Sequence, residues 1–327
     1  MNKILTLSMV ISSWSAFSQS YAPPANTPGT TAMHKDSTAF VSWATGIELK
    51  RGFLDIADTN FMLNGSNKVS FGNPQDALHQ AEGNSTSVVS LGDGGMATLT
   101  FARPITNGEG PDFAVFENAF QPDFLELAFV EVSSDGGTFF RFPAHSENQT
   151  NTQIAGGGLM DCRYIHNFAG KYQQGYGTPF DLSDLPLNLL LDINAITHVR
   201  IIDVTGTIHP DFASHDSEGN IVNDPYPTAF ASGGFDLDGV GVIHQKSLGL
   251  DENMIFAEIY PNPSSGMVYI KTDKATDIKV IDITGHELLS MKSVQDEKLD
   301  FSVFGSGVYL LEFSTGGTNA VKRIVIE

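Results

Sequence analysis

The sequence is short of five things, and each shortage removes or weakens a class of function. Among 327 residues there is one cysteine, Cys162. No intramolecular disulfide and no thiolate metal cluster can therefore form. A cysteine nucleophile would also need a His and Asn constellation that the sequence does not display. Tryptophan occurs twice, at Trp14 and Trp43, which weakens any reading built on indole platforms for sugars. Basic residues are outnumbered, 18 Lys and Arg against 38 Asp and Glu, for a formal charge of -20. A polyanion would be repelled, and no basic stripe offers to release its counterions, so nucleic acid is excluded as a partner. The apolar run Ile4 to Ile11 is too short to span a bilayer, and no longer one follows. Finally, no G-x-S-x-G elbow occurs, leaving His209, His215 and His244 without a nucleophile to activate.

What is present points to an exported, β-rich chain. Met1 to Ser18 has Lys3, the apolar run and small residues at Ala16 and Ser18, the three parts of a signal peptide (1–18) cleaved before Gln19. No cysteine follows the run, so the signal is not of the lipoprotein kind. Residues 19–35 are rich in proline and read as an extended linker. From Asp36 to Ile47, Phe40, Trp43, Ala44 and Ile47 fall at helical spacing behind Asp36 and Ser37, which predicts a short helix.

Beyond Val88 the pattern is all-β. Val88 to Leu91 and Met96 to Phe101 flank Gly92-Asp93-Gly94-Gly95, which predicts a hairpin. Phe113 to Phe116, Glu126 to Ser133, Thr138 to Phe142 and His198 to Val204 are further strands, while 149–194 is loop-rich. After Leu248, strands recur at intervals of about ten residues, the spacing of a small sandwich. The expected division is a β-sandwich binding domain over 36–247 and a second domain over 248–327.

Between Arg200 and Lys246 there is no Lys or Arg, yet Asp203, Asp211, Asp216, Glu218, Asp224, Asp236 and Asp238 all fall there. Like charges at this density stay solvated, take up protons or share a hard cation. The expectation is a structural Ca²⁺ held by Asp216, Glu218, Asn220, Asp224, Asp236 and Asp238, with Asp112 and Glu117 from an opposing loop. The alternate spacing of Asp216, Glu218 and Asn220 suits oxygen ligation, but Gly219 is misplaced for an EF-hand and no glutamate closes the loop. A solvated acidic loop explains the same residues. His209 and His215 with Asp216 form a weaker candidate for a transition metal. Glycosidase chemistry needs two carboxylates across the scissile bond. Glu117, Glu126 and Glu131 are the strand-adjacent candidates, with no pair singled out. Tyr164, Tyr172, Tyr176 and Tyr226 lie in loop-rich segments and are the candidates for ligand stacking, whereas the phenylalanines fall in apolar strands and read as core.

Two resemblances add to this. Tyr260-Pro261-Asn262-Pro263 with Gly266, Ile281 to Gly285, Gly307 to Leu311 and Val321 to Ile326 resemble, in that order, the type IX secretion sorting domain of Bacteroidetes. The resemblance implies an Ig-like sandwich, recognition by the type IX secretion machinery, removal of the tail and attachment to a glycolipid on the outer-membrane surface. Leu91 to Gly95, Gly110 to Phe120, Glu126 to Gly136 and Gly233 to Val242 resemble an exported family of the same bacteria and the galactose-binding-like (discoidin-like) jelly roll. That implies a jelly-roll β-sandwich with a structural calcium and a ligand surface built from loops at one end. The expected function is a calcium-supported, non-catalytic cell-surface protein binding a glycan or a small nutrient such as a corrinoid. The alternatives are an extracellular polysaccharide hydrolase and an adhesin or envelope structural protein.

Overall fold

A computed structural model describes residues 21–246, 255, 257–316 and 318–327. The signal segment 1–18 and the expected boundary at 248 lie outside them. The chain forms two compact units, 1–246 and 247–327. Every regular element among the described residues is a strand or a short 3-10 turn.

The first unit is a sandwich of two antiparallel sheets. One runs in the order Met33–His34, Tyr176–Phe180, Phe113–Glu117, Asp236–Val242, Ser42–Trp43, with Val89–Ser90 pairing the start of Asp236–Val242. The other runs Gly46–Lys50, Met96–Ile105, Ile196–Asp203, Ala128–Ser133, Phe140–Arg141. Period-2 alternation sends Phe113, Val115, Val199, Ile201, Val130 and Val132 into the shared core. There Phe113 stacks on Phe180 with centroids 5.4 Å apart. Burying one such ring contributes about 2–3 kcal/mol.

The central strand Phe113–Glu117 is buried on both faces. Its other side chains, Ala114 and Phe116, meet Phe40, Trp43 and Ala81. That explains why the stretch reads as a continuous apolar run rather than an alternating one.

Three local expectations are corrected. Residues 36–47 are not helical: they hold the short strand Ser42–Trp43 and lead into Gly46–Lys50. Phe40 and Trp43 cover Phe116, and the strand gains main-chain pairing to Val242 that a helix would forfeit. Gly92 to Gly95 does not close a hairpin. It carries the chain from Val89–Ser90 in one sheet to Met96–Ile105 in the other. Residues 21–34 are no free tether, because Met33–His34 pairs with Tyr176–Gly177, Tyr176 donates to Asn26, and the Thr31 and Tyr172 hydroxyls lie 2.8 Å apart.

The second unit is one bent sheet around its own core. Met267–Asp282 alternates exposed and buried residues and pairs with Ala257–Tyr260, Glu287–Asp300 and Gly307–Thr315. Register irregularities near Lys271 and Thr276 let this long strand bend. Val268, Ile270, Ile278, Val280, Leu311, Phe313 and Ile324 then meet inside.

Candidate functional site

The antiparallel register brings the end of Phe113–Glu117 to the start of Asp236–Val242, and the end of Ile196–Asp203 to the start of Ala128–Ser133. A hydrogen bond from Phe235 N–H to Asp203 joins the two sheets at that end. The acidic residues collect here, and most are acceptors for loop N–H groups. Asp203 takes Phe235 N–H at 2.7 Å and Gly94 N–H at 3.1 Å. Asp224 takes Leu127 N–H at 2.7 Å, Asp93 takes Ile56 N–H at 2.8 Å, and Glu117 takes Ala119 N–H at 2.7 Å. A buried loop must satisfy its N–H groups, and a carboxylate accepts them more strongly than a neutral side chain.

Glycine makes these approaches possible. Gly234 has φ +70°, and a Cβ there would stand 2.6 Å from Asp203 Oδ1. Gly170, at φ +80°, packs so closely on the main chain of Glu126 that a Cβ would lie 1.8 Å from its carbonyl oxygen.

Burial raises these carboxyl pKa values. Asp93 is pushed up to about 7, and Asp236 and Asp238 to about 6, in each case chiefly by desolvation. Glu117 and Glu126 are driven well above the carboxylate range, first by burial and then by like charges that include Asp236. Asp203 and Asp224 are raised by burial in the same way.

At this end a cleft of about 410 Å³ opens. Buried Asn118, Glu126 and Asp236 line it, together with Phe71, Phe120, Phe124 and Phe230. Phe120 and Phe230 are 64% and 60% exposed, and Phe120 stacks on Phe124 at 4.8 Å. Asp236 Oδ2 accepts from Asn118 Nδ2 at 2.9 Å, but its Oδ1 is buried with no partner, as is Glu117 Oε1. Ser90, the register partner of Asp236, acts as a nearby donor that lowers its pKa, yet neither Ser90 Oγ nor Asp236 Oδ1 completes a hydrogen bond. Arg51 also lowers the Asp236 pKa, while its guanidinium donates to the carbonyls of Phe71, Gly72 and Ser90.

The eight residues expected to share calcium fall into separate settings. Asp112 accepts from Gly108 and Leu182 N–H and pairs with His244 at 2.8 Å. Asp238 accepts from Glu82 and Gly83 N–H. Asp216 accepts from Ser146, Glu218 and Asn220 N–H and from the Asn220 side chain, while Glu218 is exposed. Burial opposes ionisation of Asp216, but these donors outweigh it and hold its pKa below the ordinary value. Only Glu117, Asp224 and Asp236 belong to the acidic end described above. Among the described residues no three Asp, Glu, His or Cys side chains stand where one metal ion would join them. Asp216 thus takes its donors from Ser146 as well as from Glu218 and Asn220 of its own loop.

The tyrosines are dispersed as well. Tyr172 is buried in a second core beside Phe168 and Cys162, which removes it as a stacking platform. Tyr164 is 43% exposed, Tyr176 stands edge-on to His34, and Tyr226 donates to Asp55 at 2.6 Å. None of the four lines the cleft. Of the hydrolase candidates, Glu131 is paired with Arg141 and Arg200, while Glu126 lines the cleft. His209 and His215 form no metal group. Phe120, Phe124 and Phe230 were missed because phenylalanine was assigned to the core. Their flanks, Gln121-Pro122 and Ala231-Ser232-Gly233, are turn residues that mark them as lying outside strands.

A larger hollow, about 620 Å³, lies between Tyr21, His166 and Lys171. There the Lys171 amine donates to the Ile165 carbonyl at 2.6 Å, and burial lowers its pKa to about 8.

Residues 258–327 match the secretion system C-terminal sorting domain. With the all-β body, this defines a secreted protein of two β units. More particularly, it is a type IX secretion cargo delivered to the cell surface. No curated protein matches the chain. Among solved structures it is similar to the BSP domain of a biofilm-associated protein, at 9% identity and TM-score 0.20, covering 71% of this chain and 48% of that one. It is also similar to PorZ, a surface component of the type IX secretion system of Porphyromonas gingivalis, at 12% identity and TM-score 0.20, covering 77% of this chain and 36% of that one. The chain thus spans about half the length of the first and about a third of the second. Neither likeness defines a common fold. No helix among the described residues is long and apolar enough to cross a membrane.

Proposed function

We propose that the body of this surface protein is a non-catalytic ligand-binding module whose site is the phenylalanine-rimmed cleft over Glu126 and Asp236. The ligand class is a glycan or a small nutrient such as a corrinoid. One observation carries the reading: a concave surface rimmed by phenylalanine holds a buried carboxylate oxygen, Asp236 Oδ1, that completes no hydrogen bond within the protein. That is the chemistry of a small-molecule site. Ring faces supply contact area at little entropic cost, and the carboxylates and Asn118 orient the ligand. The test is equilibrium binding of glycan and corrinoid panels to the secreted protein and to its Phe230→Ala variant. Saturable binding weakened by the substitution supports the reading, and no saturable binding ends it.

A second reading has a specific observation behind it. Glu126 and Asp236 line one cleft, as an acid and a base or nucleophile of a polysaccharide hydrolase would. Released reducing ends from a polysaccharide panel, lost in Glu126→Gln and in Asp236→Asn, would replace binding by hydrolysis. Absence of turnover in the unaltered protein removes the hydrolase.

A further inference from the structure

We propose that the cleft recognises an organic cation, a protonated amine carried by a small molecule with an apolar face. This deepens the ligand-binding reading and rests on it. Asp236, which lines the cleft, is 5% exposed, and its Oδ1 completes no hydrogen bond. Glu126, beside it, makes no ion pair among the described residues, and Arg51, which acts on Asp236 only through space, gives its hydrogen bonds to main-chain carbonyls. The sequence offers no lysine or arginine between residues 201 and 245 to fill the gap. Burial resists ionisation of Glu126 and Asp236, and a buried acceptor left without a donor is costly. A ligand bringing both positive charge and N–H donors resolves the two together.

The walls choose among cations. A hard metal ion needs six to eight oxygens, several of them carboxylate; the cleft has hydroxyls of Ser85, Thr86, Thr228 and Ser232 beside the rings of Phe71, Phe120, Phe124 and Phe230, but among the described residues no three acidic groups converge on one point. Ring faces attract an ammonium through their quadrupole and shelter its attached carbons. Phe120, stacked on Phe124 through one face, and Phe230 are both largely exposed at the mouth. A neutral hydroxyl would donate to the open oxygen but would not favour ionisation of these buried carboxyls.

Matched probes test this on the secreted protein by calorimetry: phenethylamine against 2-phenylethanol, and cyclohexylamine against cyclohexanol, with calcium chloride alone as a separate titration. Each amine is expected to bind at least tenfold more tightly than its alcohol. Glu126→Gln and Asp236→Asn should erase that preference. Phe120→Ala, at an exposed position that leaves the core untouched, should weaken the amines severalfold with an unchanged melting curve. Equal affinity of amine and alcohol, both weakened by Phe120→Ala, would overturn the cationic preference and leave the cleft as a ligand site. No saturable binding of the amines overturns the inference. Calcium uptake lost in Asp236→Asn, without amine preference, overturns it in favour of a metal site.

Discussion

Replacing Asp93 by Asn should stabilise the body at alkaline pH and do almost nothing at acid pH. Asp93 is 3% exposed, accepts one main-chain N–H from Ile56, and has its pKa raised from 3.8 to about 7, chiefly by desolvation, with Asp55 adding a like charge. Below the unfolded value the carboxyl is neutral in both states and adds no pH dependence. As pH rises from there the unfolded chain releases its proton while the folded one keeps it, so the unfolded state binds fewer protons and stability falls. The loss is complete once pH passes the folded value. A shift of about three units at about 1.36 kcal/mol each gives an upper bound of about 4 kcal/mol. Asparagine keeps an acceptor for Ile56 but gives up the charge-assisted part of that bond, about 1 kcal/mol. The net gain expected in Asp93→Asn at pH 8 is therefore about 2–3 kcal/mol, shrinking towards zero near pH 4. Urea unfolding of both proteins across pH 4 to 8 measures it. A variant no more stable at pH 8 than at pH 4, relative to the unaltered protein, would refute the view that this buried carboxyl is held at an energetic cost.

Other predictions follow from the same geometry. Gly234→Ala places a Cβ against Asp203 and Gly92 at a left-handed backbone position, and should cost about 1–3 kcal/mol of stability, read by thermal unfolding. Asp216→Ala removes the acceptor that organises the 215–221 turn, with an expected loss of about 1–3 kcal/mol and faster amide exchange at Glu218 and Asn220. Because Asp216 already takes donors from Ser146, Glu218 and Asn220, chelation with EDTA should leave the melting curve of the secreted protein unchanged; a large drop restored by calcium would place an ion at this loop. Deleting residues 258–327, the sorting domain, should abolish surface exposure of the body, as scored by protease access on whole cells.

How far the sequence revealed this molecule depends on the range over which each signal acts. The alternation in Ile196–Asp203 is local: it puts Val199, Ile201 and Asp203 on one face, and that is the face the fold buries. The turn Ser134 to Gly137 likewise closes Ala128–Ser133 onto Phe140–Arg141. Gly92 to Gly95 looks the same locally but changes sheets, because the partners of Val89–Ser90 come from Asp236 and Leu237, far along the chain. The apparent helix at 36–47 failed for the same reason: aromatic contacts to Phe116 outweigh a short-range periodicity. At the site, the acidic density of 203–238 was visible, but its meaning was not. Carboxylates clustered in sequence look like ligands for an ion. In the fold, Asp203, Asp216, Asp224 and Asp238 accept backbone N–H groups from distant loops. Phe120 and Phe230 are 110 positions apart in the numbering and meet at one cleft only after the strands pair.

On the proposed function, the cleft between residues 118–126 and 228–236 is where this surface protein engages a ligand. Its most direct test is the Phe120→Ala, Phe230→Ala double variant, assayed beside the unaltered protein against the same glycan, corrinoid and amine probes. Both rings are exposed, so the account predicts an unchanged melting temperature together with at least a tenfold loss of affinity for whichever probe the unaltered protein retains. Undiminished affinity in a normally folded double variant would contradict it.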